Sequence, residues 1–143
     1  MDKKIFLVLS IFAIVAVGCV YAAEASTATV KDVDFTIPEG FSENTDDAIV
    51  DETYEEDGQA LILNAKTFEK DDQSIILSVL EYDDNVTDDM VEDAGDEFTI
   101  SGIPGFYVDG GVVKMFSYID GNKVVSVTTF NDPGAKILHE VLG

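Results

Sequence analysis

The sequence predicts an α+β domain, a two-layer, mostly antiparallel sheet with helices packed on one face, one of them at the C-terminus. Three observations predict it. Short runs in which apolar and polar residues alternate recur from Val33 to Phe130, the period of strands rather than helices. Consecutive runs are joined by tight Asp- and Gly-containing turns, Glu56-Asp57-Gly58 and Asp120-Gly121-Asn122 above all, which makes neighbouring strands antiparallel. The end of the chain carries a single apolar stripe, Ile137, Leu138, Val141 and Leu142, which needs one surface to cover.

The elements follow in order. Ser26–Asp32, "STATVKD", reads as a polar lead. In "VDFTIPEGF", Val33, Phe35 and Ile37 share one face before Pro38 and Gly40 end the pairing, giving a first strand. From Ala48, "AIVDETYEEDGQALILNAKTF" reads as a hairpin. "SIILSVLEY" puts Ile75, Leu77 and Val79 on one face and Ile76, Leu80 and Tyr82 on the other, the pattern of a central strand covered on both sides. In "DDNVTDDMVEDAGDE", Met90, Val91 and Ala94 fall at helical spacing, with acids in the first turn and Gly95 as a stop, so a short helix is expected. "FTISGIPGFYVDGG" reads as a strand broken by a Gly102–Gly105 loop. "VVKMFSYIDGNKVVSVTTF" reads as the core hairpin, with Phe116 and Val125 buried. Asp132-Pro133 supplies an N-cap and a first-turn proline for the last helix. There is no convincing internal repeat.

"FTIPEGF", "ISGIPGFYVDGG" before "FSYIDGNKVVSVTTF", and the short final helix together resemble a group of uncharacterised small exported proteins of methane-producing archaea. More loosely, the order of an "IP-x-GF" strand, a sheet, a glycine-containing middle and a terminal helix is similar to PsbP-like domains. That likeness implies an antiparallel sheet flanked by helices, and it brings no catalytic residues to positions in this chain.

The N-terminus reads as a targeting segment. Lys3 and Lys4 precede "IFLVLSIFAIVAV", an apolar core interrupted only by Ser10, and Ala23-Glu24-Ala25 offers a signal peptidase the small residues it needs. Cleavage after Ala25 is the best match, with Ala23 as the near alternative. Two rivals stay open. Ile5–Ala23 carries no charge and, at about 1.5 Å per residue, makes about 28 Å of helix, enough for an uncleaved anchor. Ala16-Val17-Gly18-Cys19 also matches the near positions of a lipobox, which makes Cys19 a minor lipidation candidate. All three export the rest of the chain. The expected organisation is residues 1–25 signal peptide or anchor, 26–32 lead, and 33–143 a single globular domain. Cys19 is the only cysteine, so no intrachain disulfide staples the fold.

Without residues 1–25 the chain keeps 27 acidic residues against 6 lysines, so its charge remains −21. There is no arginine and no tryptophan. Nucleic acid is therefore not an expected partner, and a membrane is met only through the N-terminal segment. The acids are expected to form a solvated surface that attracts divalent cations weakly.

The sequence lacks the usual equipment of a catalyst. His139 is the only histidine and is expected on the exposed side of the last helix, with no nucleophile paired to it. Ser101 in "ISGIP" lacks the glycine spacing of a nucleophile elbow. Adjacent acids (Asp46-Asp47, Glu55-Glu56-Asp57, Asp71-Asp72, Asp83-Asp84, Asp88-Asp89) fall mostly at expected turns. In "DDNVTDDMVED", Asp83, Asn85, Thr87 and Asp89 alternate like the start of an EF-hand loop, but Asp88 stands where the turn needs glycine and Ala94 where glutamate should close it. Asp83, Asn85 and Asp89 remain weak cation candidates, with no cofactor expected. Asn85-Val86-Thr87 is also a glycosylation sequon, and Thr87 is equally suited to cap the helix expected there. The expectation is an exported, acidic, non-enzymatic cell-surface or extracellular binding or structural module, working through a sheet face or the Gly102–Gly111 loops on an envelope or extracellular partner. The alternative is a carboxylate-based hydrolase of envelope polysaccharide, which needs two acids in one cleft with one of them buried.

Overall fold

A computed structural model describes residues 25–56 and 58–143. They form ten strands and one short helix: β1 (Ser26–Val30), β2 (Val33–Ile37), β3 (Ser42–Glu43), β4 (Ile49–Glu56), β5 (Gln59–Lys70), β6 (Gln73–Glu81), β7 (Asp96–Ile100), β8 (Ile103–Asp109), β9 (Val113–Asp120), β10 (Lys123–Phe130) and α1 (Lys136–Val141). Eight strands make one antiparallel sheet in the order β3-β5-β6-β10-β9-β8-β7, with β4 paired to β5 beside β3. β1 and β2 form a separate hairpin.

The α+β class is overturned. Of the described residues 59% are in strands and 15% are helical, so the domain is mostly β. The layer that covers the inner sheet face is the β1–β2 hairpin together with α1, not a set of helices. Ala28 and Val30 of β1, Val33, Phe35 and Ile37 of β2, and Ile137, Leu138 and Val141 of α1 are buried against Ile75, Leu77, Val79, Phe116, Val125 and Val127 of the sheet. Burial of this apolar surface is the main favourable term of the fold.

Three local differences explain the change of class. The residues read as a polar lead contain β1, whose partner β2 is reached through Lys31 and Asp32, both at positive φ. No glycine marks that turn, so the hairpin leaves no signal in the sequence. The helix expected after β6 is two 3₁₀ turns, Asp88–Met90 and Glu92–Ala94. The residues that this segment buries are Val86 and Val91. On a helix they would point about 140° apart, given 3.6 residues per turn, whereas an irregular path aims both at the sheet. The last helix is only six residues long because Gly134 and Ala135 both take left-handed φ and delay its start.

Ser101 and Gly102 make a two-residue turn between β7 and β8, so Gly105 lies within β8 rather than in a loop. The Glu56-Asp57-Gly58 turn includes Asp57, outside the described residues, and Glu56 pairs with Gln59 on either side of it. β6 is central as its pattern indicates, but only its inner face is fully covered. The Tyr82–Ala94 connection closes over one end of the outer face, where Val86 and Val91 pack with Leu61, Tyr82 and Phe106. The Val86 N–H donates to Gly121 O at 2.9 Å and the Tyr82 N–H to Asn122 O at 2.8 Å, tying this connection to the β9–β10 turn.

Candidate functional site

Among the described residues none forms a layer over the rest of the outer face. Its four central strands stack their outward residues in cross-strand rows. The first row is Leu63, Leu80, Val124 and Ile119; the second is Ala65, Ser78, Ser126 and Ser117. The third is Thr67, Ile76, Thr128 and Met115, and the last is Glu69, Ser74, Phe130 and Val113. Of these sixteen positions one is charged, Glu69, at a corner. The strict alternation of each strand produces this, since successive side chains leave a strand on opposite sides.

The middle of the face is half-buried: Ser78, Ile76, Ser126, Thr128, Met115 and Phe130 are all partly accessible. Ser117 and Ser126 join their hydroxyls at 2.8 Å, which satisfies the more buried Ser117. Towards the β8–β9 turn the apolar surface continues through Val108, 39% exposed, and Val113, 36% exposed. Acids sit at the margin. Glu52 of β4 lies opposite Leu63, and Asp47 and Glu69 line a groove of about 410 Å³ with Ile49, Ala65, Thr67, Ile76 and Phe130.

The β8–β9 turn beside this surface is braced. The Gly111 N–H donates to Asp109 Oδ1 at 2.9 Å, and Lys114 Nζ donates to Gly111 O at 2.9 Å and lies 3.5 Å from Asp109 Oδ1. The Gly111 bond, then the Lys114 ammonium, hold the Asp109 carboxyl below its ordinary value. On the other side of the sheet, Lys114 lines a cleft of about 280 Å³ with Phe98, Tyr107, Asp109, Gly134, Ala135 and His139.

The candidates read from the sequence fall elsewhere. Asp83, Asn85 and Asp89 are exposed in the connection after β6. Among the described residues no three or more His, Cys, Asp or Glu side chains converge on a point where they would hold a metal ion. The acid pairs at 46–47, 55–56, 71–72, 83–84 and 88–89 are exposed. His139 is exposed, and its Nδ1 meets Ala135 O at 2.8 Å, so that nitrogen carries the proton. Ser101 lies in the β7–β8 turn. Cys19 and the residues around the cleavage sites before Ala25 lie outside the described residues. No helix among the described residues is long and apolar enough to cross a membrane.

The uncharged face was the feature that sequence reasoning missed, although it left a signal. Ser74, Ile76, Ser78 and Leu80 on β6, and Val124, Ser126, Thr128 and Phe130 on β10, are the outward positions of their strands, and none is charged in a chain of net charge −21. A fully solvated face of so acidic a chain is expected to carry carboxylates. Compared with protein-family models, curated proteins and solved structures, the chain matches none. The family likeness therefore rests on the quoted motifs alone.

Proposed function

We propose that the chain is an exported, acidic, non-enzymatic docking module that binds a protein partner through the outer face of β5, β6, β10 and β9. The partner presents a flat, uncharged centre with lysine or arginine at its rim. The reading rests on one observation: a half-exposed face with a single charge in sixteen positions, within a chain of net charge −21. Apolar and hydroxyl side chains at the centre of a patch can be desolvated at low cost, whereas carboxylates cannot.

The acids at the margin, Asp47, Glu52 and Glu69, select the partner's charge. A second copy of this chain stacked face to face would bring its own like-charged rim against them. Export itself rests on the N-terminal pattern of Lys3, Lys4 and the apolar run. The hydrolase alternative draws no support from the geometry, since the acid pairs are solvated and the buried carboxylate, Asp132, has both oxygens occupied by hydrogen bonds.

Photo-crosslinking in native cells tests the proposal. A photoreactive residue at Thr128, in the middle of the face, is expected to yield one defined adduct, and the same residue at exposed Thr36 on β2 to yield none. No adduct from Thr128, or equal adducts from both positions, overturns the docking face.

A further inference from the structure

We infer that Asn85 is an N-glycosylation site. The inference rests on the export half of the proposed function and is independent of the docking face. The chain has five asparagines, and four of them use their side chains to hold the fold. Asn44 Nδ2 donates to Asp47 Oδ2 at 3.1 Å, Asn64 exchanges two bonds with Asp51, Asn122 Nδ2 donates to Tyr82 O at 2.9 Å, and Asn131 Nδ2 donates to Asp72 O at 2.6 Å. Among the described residues Asn85 is the asparagine whose side chain makes no such bond, and it is also the one followed by Val86-Thr87.

The backbone presents the acceptor in the form the chemistry needs. Val86 is buried and its N–H is fixed to Gly121 O at 2.9 Å, while Asn85 and Thr87 on either side of it are exposed. Thr87 is extended, at φ −111° and ψ 161°. With Val86 buried between them, Asn85 and Thr87 are both exposed, so the amide of the one and the hydroxyl of the other are accessible to solvent within one three-residue segment. A transferase that recognises Asn-X-Thr has to hold both groups at once.

The donor is a lipid-linked oligosaccharide phosphate. Asn85 Nδ2 attacks the anomeric carbon of the first sugar, the new C–N bond replaces the C–O bond to phosphate, one amide proton is lost, and the lipid phosphate leaves with the bonding pair. Nothing is oxidised or reduced. The glycan projects from the connection that seals one end of the outer face, next to the row of Leu63, Leu80, Val124 and Ile119 and away from Phe130 and Val113.

The test is the intact mass, with peptide mapping, of the full chain produced in its own host as wild type, Asn85→Gln, Thr87→Ala and Thr87→Ser. Wild type and Thr87→Ser are expected to carry a saccharide increment on the peptide containing residue 85; Asn85→Gln and Thr87→Ala are expected to lack it, and Asn85→Gln is expected to stay folded, since Thr87 and not Asn85 stands at the N-cap of the 3₁₀ turn Asp88–Met90. A wild-type chain processed at its N-terminus but unmodified at Asn85 overturns this site and leaves export standing. A chain that is unmodified at Asn85 and recovered in the cytoplasmic fraction overturns export and the site together. An increment that persists in Asn85→Gln shows the modification to lie elsewhere and overturns the assignment.

Discussion

The carboxylate of Asp132, 1% exposed, accepts the Thr129 hydroxyl at 2.9 Å and so links the last turn of β10 to the start of the terminal helix. Its two oxygens also accept the N–H groups of Ile137, at 2.8 Å, and Leu138, at 3.0 Å. The first turn of α1 is thus capped by a side chain several residues upstream, across the left-handed Gly134 and Ala135. Asp132→Ala strips three buried donors of their acceptor and should cost about 2 to 4 kcal/mol in a denaturant titration. Asp132→Asn, which keeps one acceptor oxygen, should cost less.

Phe116 is fully buried under the β1–β2 and α1 layer, at 0% exposure. Truncation to alanine should cost about 3 to 5 kcal/mol. Gly105 on β8 lies against the same ring: a Cβ there would come within 2.6 Å of Phe116 Cζ. Gly105→Ala should therefore lower the melting temperature too. A wild-type melting temperature for either variant would mean that β8 and β9 pair in another register.

Ser117 and Ser126 allow a double-mutant cycle on the outer face. Ser126→Ala leaves the buried Ser117 hydroxyl without its partner and should cost about 1 to 3 kcal/mol. Replacing both serines by alanine removes the unsatisfied group, so the double variant should be more stable than the sum of the two single changes.

The acidic surface should respond to salt in general and not to calcium in particular. Exposed like charges repel, and at about 0.1 M salt the Debye length is already about 10 Å, so sodium chloride should raise the melting temperature. Asp83, Asn85 and Asp89 are exposed. Melts in EDTA and in millimolar calcium at matched ionic strength should coincide, and a saturable one-site calcium isotherm would return these residues to a functional role.

Asp51 and Asp109 each add a pH-dependent contribution to stability, reduced by their exposure to solvent. Hydrogen bonding from Asn64, then the Lys31 ammonium, depress the first; the Gly111 N–H, then Lys114, depress the second. A carboxyl whose folded value lies below the ordinary 3.8 contributes stability that is complete above that pH and disappears as pH falls through the lower, folded value. The melting-temperature difference between wild type and Asp109→Asn should accordingly be largest near neutrality and should vanish in acid below that window.

The sequence by itself determined β2, the β4–β5 hairpin, the central place of β6, the β9–β10 hairpin and the burial of Phe116 and Val125, while β3 lies in residues that read as a polar loop. It could do so because alternation and glycine turns are local, and a strand's own residues state which of them must be covered. The tertiary structure decided what does the covering. β1 is short, poor in large apolar residues and joined to β2 by a turn without glycine, so it becomes a strand only when laid on β5 and β6. Val86 and Val91 favour 3₁₀ turns over a helix because both must reach one sheet face. The candidate site was half-legible for the same reason. Every uncharged outward residue is visible in the sequence, but its neighbours in each row come from strands as far apart in the chain as β5 and β10. Only pairing across the sheet turns single serines, threonines and valines into one continuous face.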